Sequence, residues 1–281
     1  MQGTHRAPTL QQASNLQALF KSGKILAGAA LSYPSRQVAK TVAATGADWC
    51  WLDAEHVAWT PKLLVECIQI IVHESGGKMI PVVRVPNKIA FDYMAWCLDA
   101  GAGGIIVPHM ETAAEMQQVV AACRFPPDGQ RSYPPFSFIP GVTDITPEGE
   151  TIFSLANKHT AIIPQIESRR GIENLEEILQ VGNIAAFMIG ATDLRLDLGL
   201  PMNPATEPDY MATVHKARAV SAATRIPLLG VAVGPEMVRQ QLDAGFRVLL
   251  CAIDLQVLAF GMIQALSEAR EAAEEHMQRI A

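Results

Sequence analysis

The chain has 281 residues, about the length of one α/β barrel and short for two large domains. Hydrophobic residues make up 49% and charged residues 18%, which excludes a globally disordered chain. The net charge of −6 argues against a general nucleic-acid binder, which needs a basic face, but leaves room for a locally positive site that takes small anions.

The opening residues MQGTHRAPTLQQASNLQ hold no apolar stretch of the secretory kind, and an extra helix is expected over about 9–22. Short β-prone runs follow: ILAGAAL (25–31), DWCWLD (48–53), MIPVVRV (79–85), GGIIVP (103–108), TAIIPQIE (160–167), IAAFMIG (184–190), IPLLGVAV (226–233) and FRVLLCAI (246–253). Between them lie stretches with helical spacing, such as SRQVAKTVAATG (35–46), PKLLVECIQIIVHES (61–75), TAAEMQQVVAAC (112–123) and PEMVRQQLDAG (235–245). Runs bounded by Gly or Pro and separated by helix-length segments indicate βα units and a parallel sheet. Eight such units in this length predict a (β/α)8 TIM barrel spanning 1–281 as a single domain; an open doubly wound sheet is the alternative.

Two segments exceed a minimal barrel. From Arg124 to Thr151 runs a long connection, and loops of this length in compact domains are usually functional. Its ends belong to the N-terminal face of the barrel, so it reaches the opposite face only by crossing the barrel or from a neighbouring subunit. The last segment, about 254–281, reads as a long amphipathic helix. Its apolar stripe is more than one barrel face needs, which points to packing against another subunit; a solvated, frayed end is the alternative.

The cysteines Cys50, Cys67, Cys97, Cys123 and Cys251 form no CxxC pair and mostly sit in apolar runs, as expected of buried reduced thiols in a cytoplasmic protein. No apolar run reaches the roughly 20 residues that cross a bilayer.

In a barrel the chemistry gathers at the C-terminal ends of the strands. The residues expected there are Asp53, Glu55 and His56 after the second strand, Arg84 after the third, Gln165 and Glu167 after the fifth, and Gly190, Ala191, Thr192 and Asp193 after the sixth. Asp53 or Thr192 alone is explained as a helix cap. The whole set is not, because Arg84 and Glu167 end apolar strands, where a charge is costly unless paired or solvated. Glu167 and Asp193 make a carboxylate pair whose repulsion a cation between them would relieve. Oxygen ligands suit Mg2+ or Mn2+, and also Co2+. The alternative is that Glu167 pairs with Arg169 or Arg170, and Asp193 with Arg195. Arg84 offers a fixed fork of donors to a carboxylate or an enolate oxygen. His56 is a candidate general base, with His109 as a second. No lysine falls at the C-terminal end of a strand, which points away from an imine and towards a metal as electron sink. Neither GxGxxG after a strand nor GxxxxGK[ST] is present, so nothing indicates a dinucleotide or a nucleoside triphosphate.

WLDAEHV (51–57), VVRVP (82–86), LDAGAGGIIVP (98–108), RFPPDGQRS (124–132), PQIES (164–168) and IGATDLRLDLG (189–199) occur in this order. With these motifs the chain resembles the HpcH/HpaI family of class II pyruvate aldolases, over about residues 23–260. It is also similar to the family's fungal relatives of the macrophomate synthase type. The resemblance implies a (β/α)8 barrel with an exchanged C-terminal helix, assembled as a trimer or hexamer. It implies a divalent cation on Glu167 and Asp193, an enolate-stabilising Arg84, and a catalytic His56 with Asp53 and Asp99 as its partner acids. Gln165 matches the glutamine beside the metal, and the backbone around Gly190, Ala191, Thr192 and Asp193 matches the pyruvate carboxylate site. The Gly129–Arg131 segment matches one that approaches a neighbouring active site. Two departures stand out: Ala191 and Arg195 replace a Pro and a Ser of the family pattern IGPADLS, and the long loop reads SYPPFSF where relatives are Gly-rich.

Three readings follow. The first is a metal-dependent aldolase that cleaves or forms 4-hydroxy-2-oxo acids from pyruvate enolate and an aldehyde. The second keeps the site but decarboxylates oxaloacetate and traps the enolate with a larger acceptor, hinted at by Tyr133, Phe136 and Phe138. The third is a non-catalytic barrel that binds a 2-oxo acid.

Overall fold

The computed structural model describes residues 15–137, 139, 141, 146–202 and 207–280. A short helix α1 (Leu16–Lys21) precedes the barrel. It is the described part of the expected N-terminal helix; residues 9–14 of that expectation lie outside the described residues. Then strands and helices alternate: β1 (Leu26–Leu31), α2 (Arg36–Ala43), β2 (Trp49–Asp53), α3 (Pro61–Glu74), β3 (Ile80–Arg84), α4 (Phe91–Asp99), β4 (Gly104–Val107) and α5 (Ala113–Cys123). The second half continues with α6 (Ile152–His159), β5 (Ala161–Ile166), α7 (Arg169–Glu173), α8 (Leu175–Gln180), β6 (Phe187–Ile189), α9 (Ala191–Asp197), α10 (Pro208–Thr224), β7 (Leu228–Val231), α11 (Pro235–Asp243), β8 (Val248–Ile253) and α12 (Asp254–Ile280). The eight strands are all parallel and close in sequence order, β8 pairing with β1. This is the TIM-barrel-like α/β fold, and the open-sheet alternative is ruled out by that closure.

The pleat explains where the polar residues go. Alternate side chains of a strand face opposite sides of the sheet. Trp49 and Trp51 of β2, Ile80 and Val82 of β3, Ala161 and Ile163 of β5, and Met188 of β6 pack together inside the barrel. Cys50, Leu52, Val83, Ile105 and Ile162 face outward into the layer shared with the helices. Extended by two residues, the inward columns of β2, β3 and β5 reach polar groups, Asp53 in β2, Arg84 in β3, Gln165 in β5 and then Glu167 just after it, while that of β6 reaches Gly190. Register completes the placement, since Asp53 lies beside Arg84 across β2 and β3. The barrel interior is tight. A Cβ on Gly28 would stand 2.3 Å from the Trp49 indole, so only glycine leaves room for that ring.

The helices begin at the same rim, several under side-chain caps. Thr60 caps α3, Thr112 forms a capping box with Glu115 at the start of α5, and Ser168 caps α7. The cap of α3 is therefore Thr60 rather than Asp53, and Thr192 lies inside the first turn of α9, behind Gly190.

The long connection after α5 starts at the opposite end of the barrel. Arg124, 1% exposed, donates to the carbonyls of Asn157 (2.5 Å) and Asn183 (3.2 Å), and Arg131 pairs with Asp99 at 2.6 Å. Tyr133 stacks edge-on against Phe153 of α6, Phe136 is fully exposed, and Phe138 lies outside the described residues. Four cysteines are buried and Cys251 is half-buried, all as free thiols; burial raises Cys67 to about 11. Helix α12 is exposed from its second residue, Leu255, to its described end, apolar side chains included. Asp254 pins its start, accepting from the Ser32 hydroxyl at 2.6 Å and from the backbone N–H groups of Ser32 and Tyr33. No helix among the described residues is long and apolar enough to cross a membrane.

Candidate active site

At the C-terminal rim, Arg84 is held in a fork. Its Nε donates to Asp53 Oδ1 at 2.9 Å, its Nη2 to Asp53 Oδ2 at 2.7 Å, and its Nη1 lies 3.0 Å from Glu55 Oε2. The guanidinium also lies over the Trp51 ring, 5.0 Å from its centroid. Burial works against the charge, but the bonds to Asp53 and the nearby carboxylates of Glu55 and Glu167 outweigh it and hold Arg84 cationic. Glu55 is the strained member. Burial raises its carboxyl above the ordinary value, against the pull of Arg84.

Glu167 is 2% exposed, directly after β5. Its Oε1 accepts from the backbone N–H of His109 at 2.8 Å and lies 3.5 Å from His109 Nδ1; its Oε2 accepts from Gln165 Nε2. Burial raises its carboxyl above the ordinary value, and the charge of Asp193 adds to the rise despite the His109 and Gln165 bonds. Two further observations surround it. Gln165 Oε1 is buried without a hydrogen-bond partner, and a Cβ on Gly190 would stand 2.2 Å from Glu167 Oε2. A buried carboxylate repelled by a second one, beside an orphaned amide oxygen, is chemically suited to a hard divalent cation, and Gly190 leaves the carboxylate room. Glu55, His109 and Glu167 also bring one ligand atom each to within 4.8 Å of one another. The residues present thus fit a divalent metal.

The partners of each charge depart from the simplest expectations. Glu167 is held by His109 and Gln165 rather than by Arg169 or Arg170, and Arg195 forks onto Glu207 (2.7 and 2.9 Å) rather than onto Asp193. Arg195 also donates to the Pro201 carbonyl and lies over Tyr210. His56 is exposed, its Nε2 3.6 Å from Glu55 Oε2. Among the described residues neither expected partner acid bonds to His56. Asp53 spends both oxygens on Arg84 and accepts the Glu55 N–H, and Asp99 ends α4, bonded to Arg131 in a separate hollow between α4 and α5. For Asp99 the reason is topological, because a helix in a βα unit ends at the face opposite to the one where its strand delivered the chain. Of the loop aromatics, Tyr133 packs on Phe153 of its own chain and Phe136 is exposed.

A cavity of about 360 Å³ opens at the rim. Asp53, Arg84, Gln165 and the run Gly190, Ala191, Thr192 and Asp193 line its polar side, and Tyr210 and Val231 stand among its other walls. The sequence reading missed the joining of Glu55 and His109 to Glu167. The signal for Glu55 was available in the pleat, two residues beyond Asp53. His109 was expected at this rim as a second candidate base, but nothing local signalled its bond to Glu167, because its backbone adopts φ +49, a left-handed conformation that a side-chain-bearing residue rarely takes.

Residues 31–259 match the HpcH/HpaI aldolase/citrate lyase family. The chain is 31% identical over 244 residues to a hydroxypyruvate/pyruvate aldolase of Roseobacter denitrificans, covering 85% of this chain and 90% of the relative. It is 28% identical over 253 residues to a 2-keto-3-deoxy-L-rhamnonate aldolase of Escherichia coli, covering 88% and 90%. Among solved structures, macrophomate synthase superposes with a TM-score of 0.89 at 32% identity, covering 97% of this chain and 94% of that one.

Proposed function

The chain belongs to the HpcH/HpaI aldolase/citrate lyase family, and from that premise we propose that it is a divalent-metal-dependent aldolase that cleaves or forms 4-hydroxy-2-oxo acids through a pyruvate enolate. The observation that carries the proposal is Glu167, a buried carboxylate raised by burial and by Asp193, within electrostatic reach of the Arg84 guanidinium. Glu167 and Asp193 would hold the ion, Mg2+ or Mn2+ and with Co2+ as a substitute, and the Gln165 amide would turn its free oxygen towards it. Bound there, the ion supplies positive charge that polarises a 2-oxo group. The Glu55, His109 and Glu167 set offers a second way to hold it. The two sets share Glu167, so Asp193→Asn and His109→Ala tell them apart.

The protein's own residues carry the remaining work. Arg84, fixed by Asp53 and Glu55 and facing the cavity, holds the oxygen that becomes negative as the C–C bond breaks. The backbone N–H groups of Thr192 and Asp193, in the first turn of α9 behind Gly190, bind the substrate carboxylate. A first helical turn has no acceptors of its own for these donors. His56 moves the proton of the 4-hydroxyl with Glu55 beside it. Asp99, with Arg131, would meet a site only on a neighbouring copy. The bare apolar face of α12 supports assembly as a homo-oligomer, a trimer or hexamer, and the buried reduced thiols support a cytoplasmic setting.

The test is pyruvate release from 4-hydroxy-2-oxo acids with and without EDTA. Metal-restored release supports the proposal. Undiminished activity in fully metal-depleted protein removes the metal, and a pyruvate methyl group that does not exchange protons removes the catalysis, leaving a 2-oxo-acid binder. A second reading, oxaloacetate decarboxylation with trapping by a larger acceptor, is favoured by the likeness to macrophomate synthase. Products formed with a 2-pyrone, against those formed with a simple aldehyde, separate the two.

A further inference from the structure

Lys88 lies four residues beyond Arg84, on the loop between β3 and α4, and takes no part in the chemistry above. Its Nζ donates to the carbonyl of His109 at 3.0 Å, lies 2.6 Å from Glu115 Oε1, and is 3.7 Å from Glu111 Oε2. The peptide unit ahead of His109 donates its N–H to Glu167 Oε1 at 2.8 Å, so the residue is gripped by Glu167 on one side and by Lys88 on the other. Between the two bonds the backbone stands at φ +49, a conformation that persists only where the surroundings over-determine it. The surroundings do so. Ser168 donates to Glu111 Oε1 at 2.9 Å, and Asn174 donates to the Glu111 carbonyl at 2.9 Å. Glu115 closes the capping box with Thr112. Lys88 is the cation at the centre of this clamp, tying the loop after β3 to the loop after β4.

We infer that Lys88 is a positioning residue for the Glu167 carboxylate, acting through the left-handed peptide at His109. Without it, the His109 carbonyl loses its donor and the residue relaxes towards an ordinary conformation. The N–H then swings away from Glu167 Oε1, and the carboxylate is free to turn. The inference rests on the metal reading above and names a residue that reading does not use.

Three forms of the full-length protein test it: wild type, Lys88→Met and Lys88→Arg. Mn2+ affinity of the metal-depleted protein is read by electron paramagnetic resonance, and protection of the His109 amide by hydrogen exchange. Lys88→Met is expected to weaken Mn2+ binding by roughly 10–100-fold, the usual effect of losing a partner that orients a ligand. It should also expose the His109 amide to exchange. Lys88→Arg, which restores a donor and a charge, should recover most of both. Lys88 is partly exposed, so these variants should fold. Should Lys88→Met fail to, Glu115→Gln, which keeps a capping-box acceptor and removes the charge holding Nζ, carries the same expectation at smaller size. Mn2+ affinity equal to wild type in Lys88→Met overturns the inference and leaves the metal reading standing. If wild type itself binds no Mn2+, the metal reading falls. The amide then still decides the clamp: exchange unchanged in Lys88→Met overturns it, and faster exchange upholds it.

Discussion

Replacing Gly190 by alanine adds one methyl group at the closest approach in the site. That methyl would stand 2.2 Å from Glu167 Oε2, 2.8 Å from Glu167 Cβ and 2.9 Å from Gln165 Nε2. Atoms in contact sit about 3.5 Å apart, so the carboxylate has to retreat by roughly 1 Å. Glu167 cannot retreat freely, being 2% exposed and bonded to the His109 N–H and to Gln165. The Gly190 backbone is not the obstacle, since its φ of −78 suits alanine. The whole effect is therefore steric and falls on the carboxylate. A displacement of that size costs about 10²-fold in rate, equivalent to about 2.7 kcal/mol of transition-state stabilisation. Overpacking adds about 1–3 kcal/mol of destabilisation. The assay is kcat/KM for pyruvate release at saturating Mn2+, with Mn2+ affinity of the metal-depleted protein measured alongside and thermal unfolding as the control. Gly190→Ala protein with kcat/KM within threefold of wild type and unchanged Mn2+ affinity would refute the claim that the seat of Glu167 matters.

Arg84→Lys replaces the fork by a point charge and is expected to lower kcat/KM by about 10²–10³-fold, since removing one oriented donor to a developing oxyanion has that effect; near-normal turnover would separate Arg84 from the chemistry. Glu167 titrates above the ordinary 4.5 because burial and then Asp193 raise it. Metal binding needs the ionised form, so Mn2+ affinity should fall as the pH drops, beginning above the ordinary carboxylate range. In the metal-free protein the sign reverses: the ionised form is the costly one, so stability declines as pH rises through the raised value. A pH titration of Mn2+ binding and of thermal unfolding checks both, and identical profiles in Glu167→Gln would show that another group is responsible. Ile263, 63% exposed on α12, touches no core in the single chain. Ile263→Glu should leave the circular dichroism unchanged and reduce the mass measured by light scattering; an unchanged mass would mean that this face of the helix has no partner.

The order of elements and much of the rim were legible in the residues because both depend on local rules. Strand and helix periods separate the eight units. The two-residue pleat carries Asp53, Arg84, Gln165 and Glu167 from apolar inward columns to one end of the barrel. The helix ends were legible to within a few residues, as at α2, which stops at Ala43 where its apolar pattern continues to Gly46.

The choice of partner for each charge was decided by tertiary structure alone. Arg195 took Glu207 because α9 and the approach to α10 converge, although Asp193 is two residues away in sequence. Asp99 and His56 parted because the end of a helix and the end of its strand lie at opposite faces of the barrel. Lys88, His109 and Glu167 came together from three separate loops, through a left-handed backbone that no local propensity favours. A period read along the chain gives the direction of a side chain within its own element. Which neighbour it meets follows only from the closure of eight strands into a ring, which sets the groups that come within reach of one another.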